Sequence, residues 1–292
     1  MCEIGKDFKN LNSYNLEMAK GMEDKLFFLN KLPKSDTGYL FVDFGCADGA
    51  MINTLINILG IKHKYIGYDI SDAMINLAKT NYNGPIKGDV VFTTYWDDVM
   101  EEIKCTNKSK TVLILSSVIH EVYSYGTEES IKEFWHDVTN SKFDYIIIRD
   151  MCPSNTLTNN KEISHELHDK LIYGKDLKGN DTSYDHQVET FEAKFGSLWY
   201  ERNMYHFLLK YRWKVNWERE CSENYFPINY QDIFEKMKNT PSKYKYNLDY
   251  FERFRVPFLD KCIKEDIGIE LDQYTHIKAI FSRSIIKITE DD

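Results

Sequence analysis

Tyr39-Leu40-Phe41-Val42-Asp43-Phe44-Gly45-Cys46-Ala47-Asp48-Gly49 is the stretch whose reading decides the fold. Its first six residues form a short apolar run that stops at a glycine, the pattern of a buried strand. The glycines then punctuate a strand-to-helix turn. There they let backbone approach a ligand closely, and the helix that follows offers N–H donors at its start. The loop reads Gly45-Cys46-Ala47-Asp48-Gly49 and then Ala50-Met51, so it is not the dinucleotide GxGxxG, and no Gly-Lys-Ser/Thr makes it a P-loop.

Working outward, strands and helices alternate. Residues 14–31 carry Leu16, Ala19, Met22, Leu26 and Leu29 at near-helical spacing, ended by Pro33 and the Ser35–Gly38 cluster. Past the loop the pattern predicts a helix over 50–59, a strand Lys64–Asp69 and a Ser71-capped helix to about Asn81 with Asp72 in its first turn. A third strand Ile86–Phe92, a helix 96–104, a fourth strand Thr111–Ser116, a helix 127–139 and a fifth strand Phe143–Arg149 follow. This alternation predicts a parallel sheet with helices on both faces. After Asp150 it breaks. Residues 153–190 are polar and rich in Asn, Asp and His, which suits a lid or an insertion. Helical patterns at 191–211 and 229–239, a strand near 245–256 and a last strand His276–Ile288 complete the chain. The expected fold is α/β: a seven-stranded, mostly parallel doubly wound sheet with a largely helical insertion and C-terminal additions.

Composition narrows the function classes. At 292 residues, 42% apolar and 28% charged, the chain suits one large domain or a domain with an insertion, and excludes a wholly disordered protein. Six cysteines contain no CxxC pair, so neither a zinc ribbon nor a disulfide scaffold is expected. No apolar run reaches the ~18 residues of a membrane span. The first residues hold no apolar h-region, and a cytoplasmic location is expected. The net charge of −9 argues against indiscriminate coating of nucleic acid. It is unevenly spread, because residues 194–264 hold 14 Lys/Arg against 9 Asp/Glu, interleaved with aromatics. Such a segment reads either as a basic face for an anionic substrate or as an amphipathic element with snorkelling cations.

Asp69 ends the second strand 20 residues after Gly49, where a carboxylate can accept from two ribose hydroxyls. Asp89, in Gly88-Asp89-Val90, stands at the third strand, where it can accept from an adenine amino group. Taken in order, DFGCADG, GYD and GDV resemble the motifs of the class I S-adenosylmethionine-dependent methyltransferases, with Ala47 in place of the middle glycine. The resemblance covers about 39–150 and implies a Rossmann-like methyltransferase fold with S-adenosylmethionine as cofactor. It implies that Gly45, Cys46, Ala47 and Gly49 wrap the methionine moiety and that Asp43 orders the loop or holds the amino group. It places Asp69 and Ile70 at the ribose, Asp89 and Val90 at the adenine, and Ser116 and Ser117 before the methyl group. The expected division is an N-terminal helical cap at 1–38, the cofactor-binding core at 39–152, an acceptor-binding insertion at 153–244 and sheet-completing strands at 245–292. In relatives such a cap, here with Met18, Met22 and Lys25, covers the cofactor.

Ser116-Ser117-Val118-Ile119-His120-Glu121-Val122-Tyr123 follows the fourth strand, where the family keeps acceptor-facing residues. His120 is the candidate base, Glu121 its orienting partner or an amine contact, and Tyr123 the third catalytic candidate. Against this stands a His120 that merely starts a helix and packs. No Asp/Asn-Pro-Pro-Tyr/Phe follows that strand, which disfavours exocyclic-amine base methylation. Cys152 reads as structural. Glu162, His165 and His168 fall at i, i+3 and i+6, but on a helix the outer two diverge, so they read as exposed polar residues and no metal is expected. Residues 219–227 and Thr275-His276-Ile277-Lys278 are candidates for an acceptor pocket. The expected function is methyl transfer to a small molecule by in-line displacement. Alternatives are an RNA or nucleotide acceptor held by the basic aromatic 194–264 region, with Lys210, Arg212 and Lys214 tracking phosphates, or a non-catalytic binding protein on the same fold.

Overall fold

The computed structural model describes residues 21–82, 89–106, 109–173 and 184–285. It opens on a single helical turn, α1 (Met22–Lys25), and continues in turns to Leu32. The helix expected over 14–31 is therefore four residues long within the described chain, and 14–20 lie outside it. Tertiary docking explains the difference. Phe28 is fully buried in the core under the sheet, with Leu26, Leu29 and Leu32 packed around it, and that seat overrides a continuous helical spacing.

The alternation then unfolds as read. β1 (Tyr39–Phe44), α2 (Ala50–Leu59), β2 (Lys64–Tyr68), α3 (Asp72–Asn81), β3 (Val90–Thr93), α4 (Trp96–Cys105), β4 (Lys110–Ser116), α5 (Ile119–Tyr125), α6 (Glu128–Asn140) and β5 (Tyr145–Asp150) follow in order. Ser71 caps α3 by accepting from the Met74 N–H at 3.4 Å. Residues 83–88, which include part of the expected third strand, lie outside the described chain. Beyond β5 come α7 (His165–Tyr173), α8 (Asp185–Phe195), α9 (Glu201–Leu208), α10 (Trp217–Ser222), α11 (Tyr230–Asn239), β6 (Tyr244–Phe254), α12 (Pro257–Ile267) and β7 (His276–Ile285). The helix expected over 191–211 is two helices. Gly196 breaks it with a left-handed φ of +93°, and the Glu192 carboxylate then accepts from the Leu198 N–H at 2.7 Å. α12 carries the signature of proline at its start and Gly268 after its end, which the reading of 245–256 as strand stopped short of.

The seven strands lie in the order β3-β2-β1-β4-β5-β7-β6. β1 pairs in parallel with β2 and β4, and β2–β3 and β4–β5 are parallel too. β7 runs against β5. Arg283 donates its N–H to the Asp144 carbonyl at 2.9 Å at one end, while Arg149 and Lys278 reach one carboxylate at the other. This is the seven-stranded, mostly parallel Rossmann-like α/β sheet expected from the motifs. Chain order reverses between β1 and β4, and in open α/β sheets ligands bind in the crevice at the carboxyl ends of the strands beside such a switch point.

The chain divides into two compact units. The first holds the described residues of 1–150, 234–252 and 278–292, and the second 151–233 and 253–277. Leu40, Phe41 and Val42 of β1 and Val112 to Leu115 of β4 are at most 1% exposed, the mark of strands covered on both faces. Burying each such side chain stabilises by about 1.5–3 kcal/mol. The second unit is built on its own cluster, centred on Phe191, Phe207, Tyr211, Trp217 and Ile263. No described helix is long and apolar enough to cross a membrane, and no described cysteine is in a disulfide.

Candidate functional site

The loop after β1 is locked by backbone before any side chain acts. Gly45 and Cys46 both donate to the Tyr68 carbonyl, at 2.8 and 3.0 Å, and the Gly49 N–H donates to the Cys46 carbonyl at 2.9 Å. Gly45, Ala47 and Gly49 take φ of +76°, +46° and +77°. At Gly45 glycine is required twice over. Its φ is left-handed, and a Cβ there would stand 2.7 Å from Cγ2 of Val118 on the far side of the crevice. Ala47 occupies the same backbone region despite its methyl, so the replacement of the middle glycine is accommodated as strain rather than by a changed path.

Asp69 holds this loop. Its Oδ2 accepts from the Ala47 N–H and its Oδ1 from the Ser71 N–H, each at 2.9 Å, so one carboxylate ties the turn to the start of α3. Burial pushes its pKa up, and the two N–H donors pull against that. Each carboxylate oxygen has two acceptor directions, so Asp69 keeps capacity for ligand hydroxyls while it shapes the loop. Ile70 beside it is 57% exposed, an apolar side chain turned to solvent at the ligand edge of the sheet.

Asp43, near the end of β1, is buried. Burial pushes its carboxyl up to about 7, with Lys25 opposing and Asp69 and Asp48 adding to the rise. Lys25 of α1 is also buried, and its ammonium is pushed down to about 8, first by burial and next by Arg149. Neither group has a described hydrogen bond or ion pair, and each acts on the other through its charge. A buried carboxylate without a partner is costly. Burial likewise raises the Cys46 thiol, which points back to the Ala47 carbonyl at 3.8 Å and is an inert wall of the turn.

The ends of β4 and β5 carry a second network. Asp150, fully buried, accepts the Val118 and Ile119 N–H groups on Oδ2 at 2.9 and 2.7 Å and lies 2.8 Å from His120 Nδ1 through Oδ1. The carboxylate thus satisfies the first turn of α5 and orients the imidazole. His120 is buried, Glu121 and Tyr123 half-buried on the same short helix, and the Tyr123 hydroxyl accepts from Trp135 Nε1 at 2.9 Å. Ser117 sits at φ +57° with its hydroxyl accepting from Arg149 Nη1 at 2.9 Å. The Ser116 Oγ is buried with no hydrogen-bond partner. Arg149 also forks onto Asp24 Oδ2 through Nε and Nη2, at 3.0 and 2.9 Å, and Lys278 meets Asp24 Oδ1 at 2.5 Å.

Asp89 and Val90 are half-buried at the foot of β3, and the Asp89 carbonyl accepts from the Tyr65 N–H at 2.8 Å. Thus Asp43, Gly45, Cys46, Ala47, Gly49, Asp69 and Ile70 belong to one turn and its support. Ser116, Ser117, His120, Glu121 and Tyr123 follow β4, and Asp89 and Val90 stand at the start of β3, the end away from the crevice. Sequence reasoning missed Asp150, Arg149 and Asp24. A signal existed, because Arg149-Asp150 are charged residues closing an otherwise apolar parallel strand, at the edge where ligands bind.

The second unit corrects two expectations. Lys210 lies fully buried, donating to the carbonyls of Glu220 and Glu223 at 2.9 and 2.6 Å above the Tyr225 ring at 4.1 Å. Burial pushes it down to about 7. It cannot track a phosphate backbone, while Arg212 faces Asp266 at 3.5 Å and Lys214 covers the Tyr184 ring at 4.7 Å. His168 is not an exposed polar residue: its ring stacks on Trp199 at 3.8 Å, with His165 edge-on to the same ring at 4.7 Å. Cys152 is buried.

No protein-family model matches the chain, and no curated protein matches it. Similar solved structures include a SAM-dependent methyltransferase from Archaeoglobus fulgidus, 15% identical over 92% of this chain and 99% of that one, with a TM-score of 0.44. The plantazolicin methyltransferase BamL, in complex with a triazolic desmethylPZN analog and SAH, is 11% identical over 93% and 87%, with a TM-score of 0.46. The cyclopropane synthase MmaA2 from Mycobacterium tuberculosis is 10% identical over 94% and 87%, with a TM-score of 0.47. At these identities the reading of the site rests on this chain's own residues.

Proposed function

We propose that the chain is an S-adenosylmethionine-dependent methyltransferase acting on a small-molecule acceptor. The observation that carries this reading is Asp43, a buried carboxylate without a described partner, next to a turn whose backbone is already locked by Tyr68 and Asp69. A ligand ammonium placed there would offset the cost of that buried charge and draw Asp43 to its ionised form.

In this reading Gly45, Cys46, Ala47 and Gly49 pass backbone along the methionine portion, Asp69 accepts from the ribose hydroxyls and Ile70 covers one face of the base. Asp89 and Val90, at the opposite end of β3, do not reach the base as the motif implied, and Ser116 and Ser117 line the reacting end. When bound, the cofactor supplies an electrophilic methyl on a sulfonium. The protein's own part is then mostly alignment of the acceptor in line with it. His120 takes the acceptor's proton: Asp150 beside Nδ1 keeps that nitrogen the protonated one, so Nε2 is the basic nitrogen. Glu121 and Tyr123 shape the same wall. The burial of Lys210 supports a small acceptor over a nucleic acid, since the cationic segment loses its central charge to the core.

Calorimetry with S-adenosylmethionine and S-adenosylhomocysteine tests the reading. Wild-type protein is expected to bind both at micromolar concentration, with Asp43→Asn weakening the amino-acid-bearing ligands about 10–100-fold. A folded wild-type protein that binds neither refutes it.

A further inference from the structure

We propose that Arg149 and Lys278 form a carboxylate-binding subsite for the acceptor, held in this structure by the side chain of Asp24. The inference rests on the methyltransferase reading only in taking the crevice beside Ser116 and Ser117 for the acceptor's place.

The cradle and its occupant differ in kind. Arg149 stands on β5 and Lys278 on the neighbouring β7, so both cations are set by the sheet. Arg149 is 7% exposed, and its third guanidinium nitrogen is pinned by the Ser117 hydroxyl, whose residue adopts a left-handed backbone to provide it. Strain of that kind in a non-glycine residue persists where surroundings over-determine it, often at ligand clamps. Asp24, by contrast, lies outside the sheet on a short helical turn, and its side chain keeps 24% of its surface exposed. Next to it Lys25 is a buried ammonium, disfavoured in part by Arg149 itself and favoured by Asp43, Asp150 and Glu121. A two-cation fork set by the sheet and filled by a part-exposed carboxylate from outside it is the arrangement expected of an exchangeable occupant. A buried ion pair made only for stability gains little over apolar packing.

The chemistry of the cradle selects a carboxylate. Arg149 Nε and Nη2 converge on one oxygen and Lys278 Nζ takes the other, which matches two oxygens in one plane. The Ser116 Oγ, buried without a partner one residue from Ser117, is a further polar atom for the same ligand. A phosphate would bring a third oxygen and a second charge to a fork whose described donors engage two oxygens.

The test uses acetate as the probe on Asp24→Ala protein, titrated at constant ionic strength against chloride. Acetate is expected to raise the melting temperature of Asp24→Ala saturably, by ~2–4 °C, and to leave wild type unmoved. Adding Lys278→Met is expected to abolish the response. If Asp24→Ala is unfolded in chloride, the same titration reads recovery of its far-UV signal. No acetate response in either readout overturns the proposal, as does a response that survives Lys278→Met. Inorganic phosphate acting at lower concentration than acetate overturns the assignment to a carboxylate. Because acetate is read on the protein alone, wild-type calorimetry with S-adenosylmethionine reports on the methyltransferase reading separately.

Discussion

Gly45→Ala separates the backbone and packing demands of the loop. The substitution asks an L-residue to hold φ +76°, and it drives a methyl to 2.7 Å from Val118 Cγ2. The left-handed backbone costs about 1–2 kcal/mol in a residue with a Cβ. Overpacking against a buried valine adds about 1–3 kcal/mol, because Val118 is the N-cap of α5 and its N–H is held by Asp150. The expected loss is therefore about 2–5 kcal/mol, read by urea denaturation at fixed pH. Val118→Ala removes the clashing methyl, so the double variant should recover the packing part and retain the backbone part. A double-mutant cycle is expected to give a coupling of about 1–3 kcal/mol. On the proposed reading that this loop wraps S-adenosylmethionine, calorimetry on the folded double variant should show weakened binding of it even where stability is partly restored. Strict additivity of the two substitutions would refute the argument, for it would mean that the loop and the end of β4 do not constrain each other.

The remaining expectations concern buried charges. Lys210 carries a folded pKa of about 7 against an ordinary 10.5. The unfolded chain therefore holds its proton over that window while the folded chain has released it, and stability rises with pH from about 7 to 10.5. Lys210→Met should flatten that rise in urea denaturation measured across the window. Asp43 has the opposite sign: with a folded pKa of about 7 against 3.8, its contribution is lost as pH rises from 3.8 to 7, and Asp43→Asn should remove that decline. Asp150→Ala strips the acceptor from two backbone N–H groups and His120, and should cost about 3–5 kcal/mol in chemical denaturation. A loss below about 1 kcal/mol would show that water replaces the carboxylate there.

Much of the fold was legible because it is written in local pattern. The run Tyr39–Phe44 is apolar on both faces since parallel strands are covered on both, and its glycine stop marks the turn. Asp69 was legible for the same reason, as a polar residue ending an apolar strand, although its work on the Ala47 N–H was not. The break at Gly196 and the helix between Pro257 and Gly268 carried local signals too, masked by a longer helical periodicity and by the aromatic run before Pro257.

What the sequence alone determined is the sheet's first half, the glycine turn after β1 and the carboxylates Asp43 and Asp69 beside it, because each rests on residues a few positions apart. Tertiary structure decided the rest. Asp24 meets Arg149 across 125 positions, His120 meets Asp150 across 30, and Lys210 vanishes into a core that its charged, aromatic neighbourhood did not announce. Such pairs have no periodicity to reveal them: burial makes an unsatisfied charge expensive, and only the folded chain shows which distant group, if any, satisfies it.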